Sequence, residues 1–254
     1  MLDLLKMLNY DVPKIEPFSK GSLEVEKWEN SSGFVLKVNG EQWMSYNLET
    51  HLEAYHLFSH YYLAEGHCIC SGLGFGIREN WLLTKKNVSK ITVLEKNKEV
   101  IEYHQHIKSP FLDNIELIHC DANEYFGKCD TLLLDHYEHH DSKDIINNVY
   151  TVHKNIKHET LWFWPFESII YEIGLRYCNP KLLALPFNNK ISPRYRFTQE
   201  YLNFHEIYLD LKKKYNLQTL PEISPDVLEM FIFMHKSDKI GEMFRIYQNN
   251  KQYG

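Results

Sequence analysis

The chain has 254 residues, 44% hydrophobic and 24% charged, a composition that suits one large α/β domain, or a medium domain with an appendage, and needs no disulfide staples. A formal net charge of −6 argues against a nucleic-acid backbone as partner, and the one dense basic run, Lys212 to Lys214, reads as a solvated helix end. No apolar run approaches transmembrane length, and the opening MLDLLKMLNYDVPK lacks the basic segment of a signal peptide.

Residues 1–20 read as a short helix followed by a Pro-containing linker. Over 21–47 the pattern is that of strands. Leu23 and Val25 alternate with Glu24 and Glu26, and Phe34 to Val38 forms a second run. Asn39-Gly40 then supplies the two left-handed positions of a tight hairpin turn, and Gln42, Trp43 and Met44 run back. A small antiparallel β region is therefore predicted over 1–49, with a second domain over 50–254. Thr50 to Ala64 reads as a helix, with Thr50 and Glu53 at capping-box spacing.

From there strands and helices alternate. Strands are predicted at 67–71, 91–95, 115–120, 130–135 and 160–164, and helices at 77–86, 97–107 and 142–156. Ile145, Val149, Val152 and Ile156 keep helical spacing in the last helix. This rhythm predicts a mostly parallel, Rossmann-like α/β sheet flanked by helices. Further on, 168–178 and 198–214 read as helices, and 181–187 and Val227 to Met234 as strands. The five cysteines (Cys68, Cys70, Cys120, Cys129 and Cys178) have neither zinc nor disulfide spacing. They read as free, mostly buried thiols in a reducing, cytoplasmic compartment.

The chemistry concentrates at the predicted strand ends. The strand His67 to Ser71 runs into Gly72, Gly74 and Gly76. These glycines permit a tight strand-to-helix turn and a close approach of backbone to ligand. The next strand ends in Glu95, 23 residues after Gly72, the spacing at which an acid accepts hydrogen bonds from ribose hydroxyls. Two further strands end in Asp121, followed by Ala122, and in Asp135. Strand C-termini of an open parallel sheet line its ligand crevice, so the three acids are predicted to converge there.

These residues resemble the class I S-adenosylmethionine-dependent methyltransferases, and within them are most similar to the polyamine (spermidine) synthases. Leu94 to Ile101 resembles that branch's acidic strand end and following helix. Asp121 to Phe126 resembles its next signature, and Cys129 to Asp135 its motif with the catalytic aspartate. Leu36 to Gln42 resembles its hairpin with a nearby Gln. The resemblance spans roughly residues 21–140. It implies S-adenosylmethionine, or its decarboxylated form, as cofactor. Ser71, Gly72, Gly74 and Gly76 would lie near the methionine part, Glu95 at the ribose, Asp121 and Ala122 at the adenine, and Asp135 at the reacting centre. It also implies a small-molecule acceptor and pairing of two copies.

The chain departs from the polyamine synthases at Phe75, where their loop carries an aspartate. It departs again after Asp135, where Glu138 alone supplies a second carboxylate and no proline follows. Leu57, after Tyr55 and His56, interrupts their Tyr-x-Glu signature. The segment behind Asp135 offers His136 and Tyr137 to orient or deprotonate an acceptor, and Asp135 with Glu138 to hold an amine. His139 and His140 read as a polar loop, and with no second ligand cluster no metal site is expected. Methyl transfer to a small molecule, amines included, is the favoured reaction. Aminopropyl transfer is the alternative, and a non-catalytic ligand-binding or assembly protein on the same fold is the third reading.

Overall fold

The computed structural model describes residues 10–28, 32–49, 51–136 and 142–164. The chain divides into two compact units, Met1–Phe163 and Trp164–Gly254, and all the described residues except Trp164 belong to the first. The elements predicted beyond residue 164, the N-terminal helix and the segment Tyr137 to His140 lie outside the described residues.

Four strands form an antiparallel meander in chain order: β1 (Phe18–Lys20), β2 (Leu23–Lys27), β3 (Gly33–Val38) and β4 (Glu41–Asn47). Asn39 and Gly40 have φ of 53° and 77°, the two left-handed residues that the hairpin was predicted to need. The sheet starts earlier than the sequence pattern suggests. Phe18–Lys20, expected to be linker, pairs with Leu23–Val25 around Gly21 at φ 58°. Leu23, Val25, Leu36 and Val38 are buried on one face. The register slips between Leu36 and Lys37, leaving Trp43 without a cross-strand partner and 41% exposed.

The single helix predicted over 50–64 is divided at Leu57 into α1 (Leu52–His56) and α2 (Phe58–Leu63). Lys85 caps α2, donating from Nζ to the carbonyls of Tyr61, Tyr62 and Ala64 at 2.6, 2.7 and 2.6 Å. A cation on the last carbonyls answers both their unmet acceptors and the negative end of the helix dipole.

The main sheet comprises β5 (Gly66–Ser71), β6 (Val88–Glu95), β7 (Glu116–His119), β9 (Thr131–Leu134) and β11 (Thr160–Phe163), in the spatial order β11-β9-β5-β6-β7. All four pairings are parallel. Counted from β5, this is the doubly wound order 3-2-1-4-5, and the direction of winding reverses between β5 and β9. Continuous burial of Cys68 to Ser71, Ile91 to Glu95 and Thr131 to Leu134 is what a sheet covered on both faces requires.

The crossovers are α3 (Ile77–Leu82), α4 (Lys98–His106) and α5 (Ser142–Asn155). Asn97 caps α4 by accepting from Glu99 N at 2.8 Å and Val100 N at 3.4 Å. Ile145, Val149, Val152 and Ile156 are all buried, as their spacing predicted. A two-residue parallel ladder, β8 (Gly127–Lys128) with β10 (Ile156–Lys157), is too short to leave a periodic signal. Cys68, Cys70 and Cys129 are buried free thiols, and burial raises their pKa values. Among the described residues no helix is long and apolar enough to cross a membrane.

Candidate nucleotide crevice

The crevice of a doubly wound sheet lies outside the strand C-termini at the point of reversal, here the ends of β5 and β9. Gly72, Gly74 and Gly76 have φ of 74°, 51° and 70°, a region that residues with a Cβ rarely occupy. Space is equally restrictive. A Cβ on Gly72 would strike the backbone carbonyl oxygen of Asp135, and one on Gly76 the ring of Phe111.

The loop is tied down from several sides. Gly72 N donates to Leu94 O at 2.9 Å, and Gly76 N to Leu73 O at 2.8 Å. Leu73 N donates to Glu95 Oε2 at 2.7 Å. Beneath it lies the fully buried His104, with Nε2 2.8 Å from Gly74 O and Nδ1 2.7 Å from Ser109 Oγ. Burial pushes this imidazole down to about 4. It is therefore neutral, with Nε2–H donating to the carbonyl and Nδ1 accepting from the serine.

Arg78 and Glu79 hold the loop from the other side, a role that nothing in their sequence context signals. Both side chains are buried. Arg78 Nη2 donates to Ser71 O at 3.2 Å, to Gly72 O at 2.5 Å and to Glu79 Oε1 at 2.6 Å, and Nε donates to the same carboxylate oxygen at 2.8 Å. In the sequence the two look like ordinary charged residues early in a helix. Only the fold turns them inward.

Glu95 is 6% exposed. Its Oε2 accepts from Leu73 N, and its Oε1 from Asn97 N at 2.7 Å. Burial raises its pKa against those two bonds. A carboxylate has about four lone-pair sites, so one of them serves the loop and one the turn at Asn97. Asp121, at the next strand end, accepts at Oδ1 from Asn123 N (2.9 Å) and Asn123 Nδ2 (3.1 Å), and its Oδ2 lies 3.2 Å from Lys96 Nζ. Partial burial pushes its pKa up, but the Asn123 bonds and the Lys96 charge outweigh it and hold the carboxyl below its usual range. Ala122 is buried beside it.

Asp135 follows β9 directly. Its N–H reaches Ser71 O at 3.3 Å and Ser71 Oγ at 3.2 Å, and Ser71 Oγ lies 2.5 Å from His136 Nδ1. Burial pushes the Asp135 carboxyl up to about 6, with Arg78 opposing and Glu79 adding to the shift. Burial pushes the His136 imidazole down to about 4, and the charge of Asp121 reaches it. Ser71, the glycine loop, Glu95, Asp135 and His136 thus meet at one place, with Asp121 at the neighbouring strand end. Tyr137 and Glu138 lie outside the described residues.

A second carboxyl is present whose sequence context suggests only a helix cap. Burial, and then the charge of Asp135, push Glu53 on α1 up to about 8. His56 Nδ1 lies 3.8 Å from Glu53 Oε2, and burial holds that imidazole down to about 4. Near neutral pH, Glu53 therefore carries its proton while Asp135 is mostly ionised. Gln42 is exposed. The hairpin residue that reaches the loop is Met44, whose Sδ lies 2.7 Å from where a Gly74 Cβ would stand.

A parallel sheet of this order, with a glycine turn and acids at its reversal point, defines a Rossmann-like nucleotide-crevice fold. The solved structures it resembles include S-adenosylmethionine-dependent methyltransferases and spermidine synthases. Spermidine synthase from Thermotoga maritima matches at 16% identity and TM-score 0.41, over 59% of this chain and 54% of that one. A spermidine synthase in complex with the transition-state analogue AdoDATO matches at 16% identity and TM-score 0.42, over 76% and 63%. An S-adenosylmethionine-dependent methyltransferase from Clostridium acetobutylicum matches at 14% identity and TM-score 0.30, over 42% and 44%. The chain thus spans less than two thirds of the length of each of these relatives. No family model and no curated protein sequence matches it. The fold assignment rests on the strand order itself.

Proposed function

We propose that this protein binds S-adenosylmethionine, or a close relative, in the crevice between β5 and β9 and transfers its methyl group to a small acceptor. The observation that carries this reading is the meeting of the left-handed glycine loop, Glu95 and Asp135 at the reversal point of the sheet. The glycine positions suit the group: Gly72, Gly74 and Gly76 all hold the left-handed backbone that a tight turn beneath a bound nucleoside needs. Glu95 retains lone pairs for ribose hydroxyls, and Asp121 with Ala122 sits where an adenine edge would lie.

Bound S-adenosylmethionine supplies a sulfonium methyl, an electrophile that needs alignment more than activation. Asp135, ionised near neutrality, receives the proton that an acceptor N–H or O–H gives up as it is alkylated. The Ser71–His136 bond fixes the segment that carries it. Glu53, coupled by charge to Asp135 and protonated near neutrality, supplies a hydrogen-bond donor to the acceptor.

The Glu53–Asp135 pair also favours the second reading, aminopropyl transfer from decarboxylated S-adenosylmethionine, because two carboxyls can hold a cationic amine. The by-product separates the two. Incubation of the full chain with both nucleosides and a panel of small amines and metabolites should release S-adenosylhomocysteine. Release of methylthioadenosine from the decarboxylated form alone would replace methyl transfer with aminopropyl transfer, and no release of either from any acceptor would leave a non-catalytic binding protein.

A further inference from the structure

We propose that Met44 tunes which nucleoside the crevice accepts: its thioether occupies the Phe75 N–H of the amide pair Gly74–Phe75, so a ligand bearing a carboxylate must displace it to reach that pair, whereas a decarboxylated one leaves it in place. This rests on the cofactor reading above and sharpens it.

The loop's backbone donors are not equally well served. Gly72, Leu73 and Gly76 give their N–H groups to oxygen acceptors at 2.9, 2.7 and 2.8 Å. Phe75 differs, donating to Met44 Sδ at 3.4 Å. The Gly74 N–H meets no acceptor among the described residues. A thioether is a weak acceptor, so the Phe75 bond is the least costly of the set to exchange. Two successive backbone N–H groups beside a left-handed residue make a concavity suited to an anion. A carboxylate would replace a poor acceptor at Phe75 and satisfy Gly74 together, through bonds stronger than neutral ones. A methylene in the same place would satisfy neither.

The surroundings point the same way. Leu73 and Phe75, the loop side chains, are buried and apolar, so the loop itself presents no carboxylate to an ammonium group. Glu95, which meets the loop at Leu73, already accepts from Leu73 N and Asn97 N. Met44 itself can move. It is partly accessible on β4, next to the bulge at Trp43, and an unbranched side chain with three rotatable bonds swings aside without moving the strand. Tyr46, two residues on, is fully buried and anchors the strand while Met44 turns.

The test is titration calorimetry on the full chain with S-adenosylmethionine, decarboxylated S-adenosylmethionine and methylthioadenosine, for wild type and Met44→Leu. Wild type should prefer S-adenosylmethionine over its decarboxylated form. In Met44→Leu the Phe75 N–H has lost its acceptor, so that preference should grow about two- to tenfold, with little change for the decarboxylated form. In wild-type protein labelled at methionine methyls, the Met44 signal, identified by its loss in the variant, should shift with S-adenosylmethionine and stay in place with methylthioadenosine. An unchanged preference in Met44→Leu, or an equal shift with methylthioadenosine, overturns the role of Met44 alone. Wild type that binds none of the three nucleosides overturns the cofactor reading as well.

Discussion

The two sides of the crevice are built on opposite principles. On the loop side, nearly every polar group already has a partner: Glu95 serves Leu73 and Asn97, His104 serves Gly74, and Arg78 serves Ser71 and Gly72. On the side of Asp135 and Glu53, two carboxyls are held against their charged forms, at about 6 and about 8. The loop side is organised before any ligand arrives. The carboxyl side is set to exchange protons near neutrality, the property that the proposed transfer uses. Substitutions should therefore divide: changes on the loop side cost stability and binding, and changes on the carboxyl side cost turnover.

The largest expected effect is at Arg78. Arg78→Leu removes one partner of a buried ion pair and leaves the Glu79 carboxylate uncompensated, a loss of about 3–5 kcal/mol. Denaturant unfolding would show it, and a loss below about 1 kcal/mol would mean that the pair behaves as a solvated one.

Next comes Asp135→Asn. Turnover should fall by about 100-fold or more, while affinity for S-adenosylmethionine changes by less than about threefold. A parallel loss of affinity would move Asp135 to the loop side of the division.

His104→Ala should cost about 1–3 kcal/mol, because it leaves the Gly74 carbonyl and the Ser109 hydroxyl without their buried partner. Thermal unfolding and nucleoside affinity should both weaken.

The smallest effect is at Glu53. Its carboxyl and that of Asp135 have raised pKa values, so the folded state binds more protons than the unfolded state from about pH 4 upward. These two groups therefore make stability fall as pH rises toward 8. Glu53→Gln removes the Glu53 share and should raise Tm at pH 8 relative to wild type, with no gain at pH 4. The pH profile of wild-type turnover should be bell-shaped, with limbs near about 6 and 8 that belong to the coupled pair. The alkaline limb should disappear in Glu53→Gln.

Legibility in the sequence follows the same division. The parallel sheet could be read because apolar runs such as Ile91 to Leu94 and Leu132 to Leu134 alternate with helical patterns, and strand ends are where Glu95, Asp121 and Asp135 fall. The left-handed glycines could be read because few residues other than glycine tolerate those angles. Glu53 could not be read as a site residue, because its capping-box spacing with Thr50 offers a sufficient local explanation and its approach to Asp135 is made by the fold. Arg78, Glu79 and His104 are hidden for the same reason, since burial of a charged or polar residue leaves no mark on local periodicity. Phe18–Lys20 escapes notice because a three-residue strand is shorter than the pattern that reveals one.

Binding of an S-adenosylmethionine-type nucleoside in the β5–β9 crevice is the property on which the rest depends. Titration calorimetry of the full chain at pH 7 tests it most directly. One site per chain with micromolar affinity for S-adenosylmethionine is the expected result, with binding lost in Gly72→Ala even where that variant remains folded. Absence of heat with S-adenosylmethionine and with its decarboxylated form, up to millimolar concentration, would contradict it.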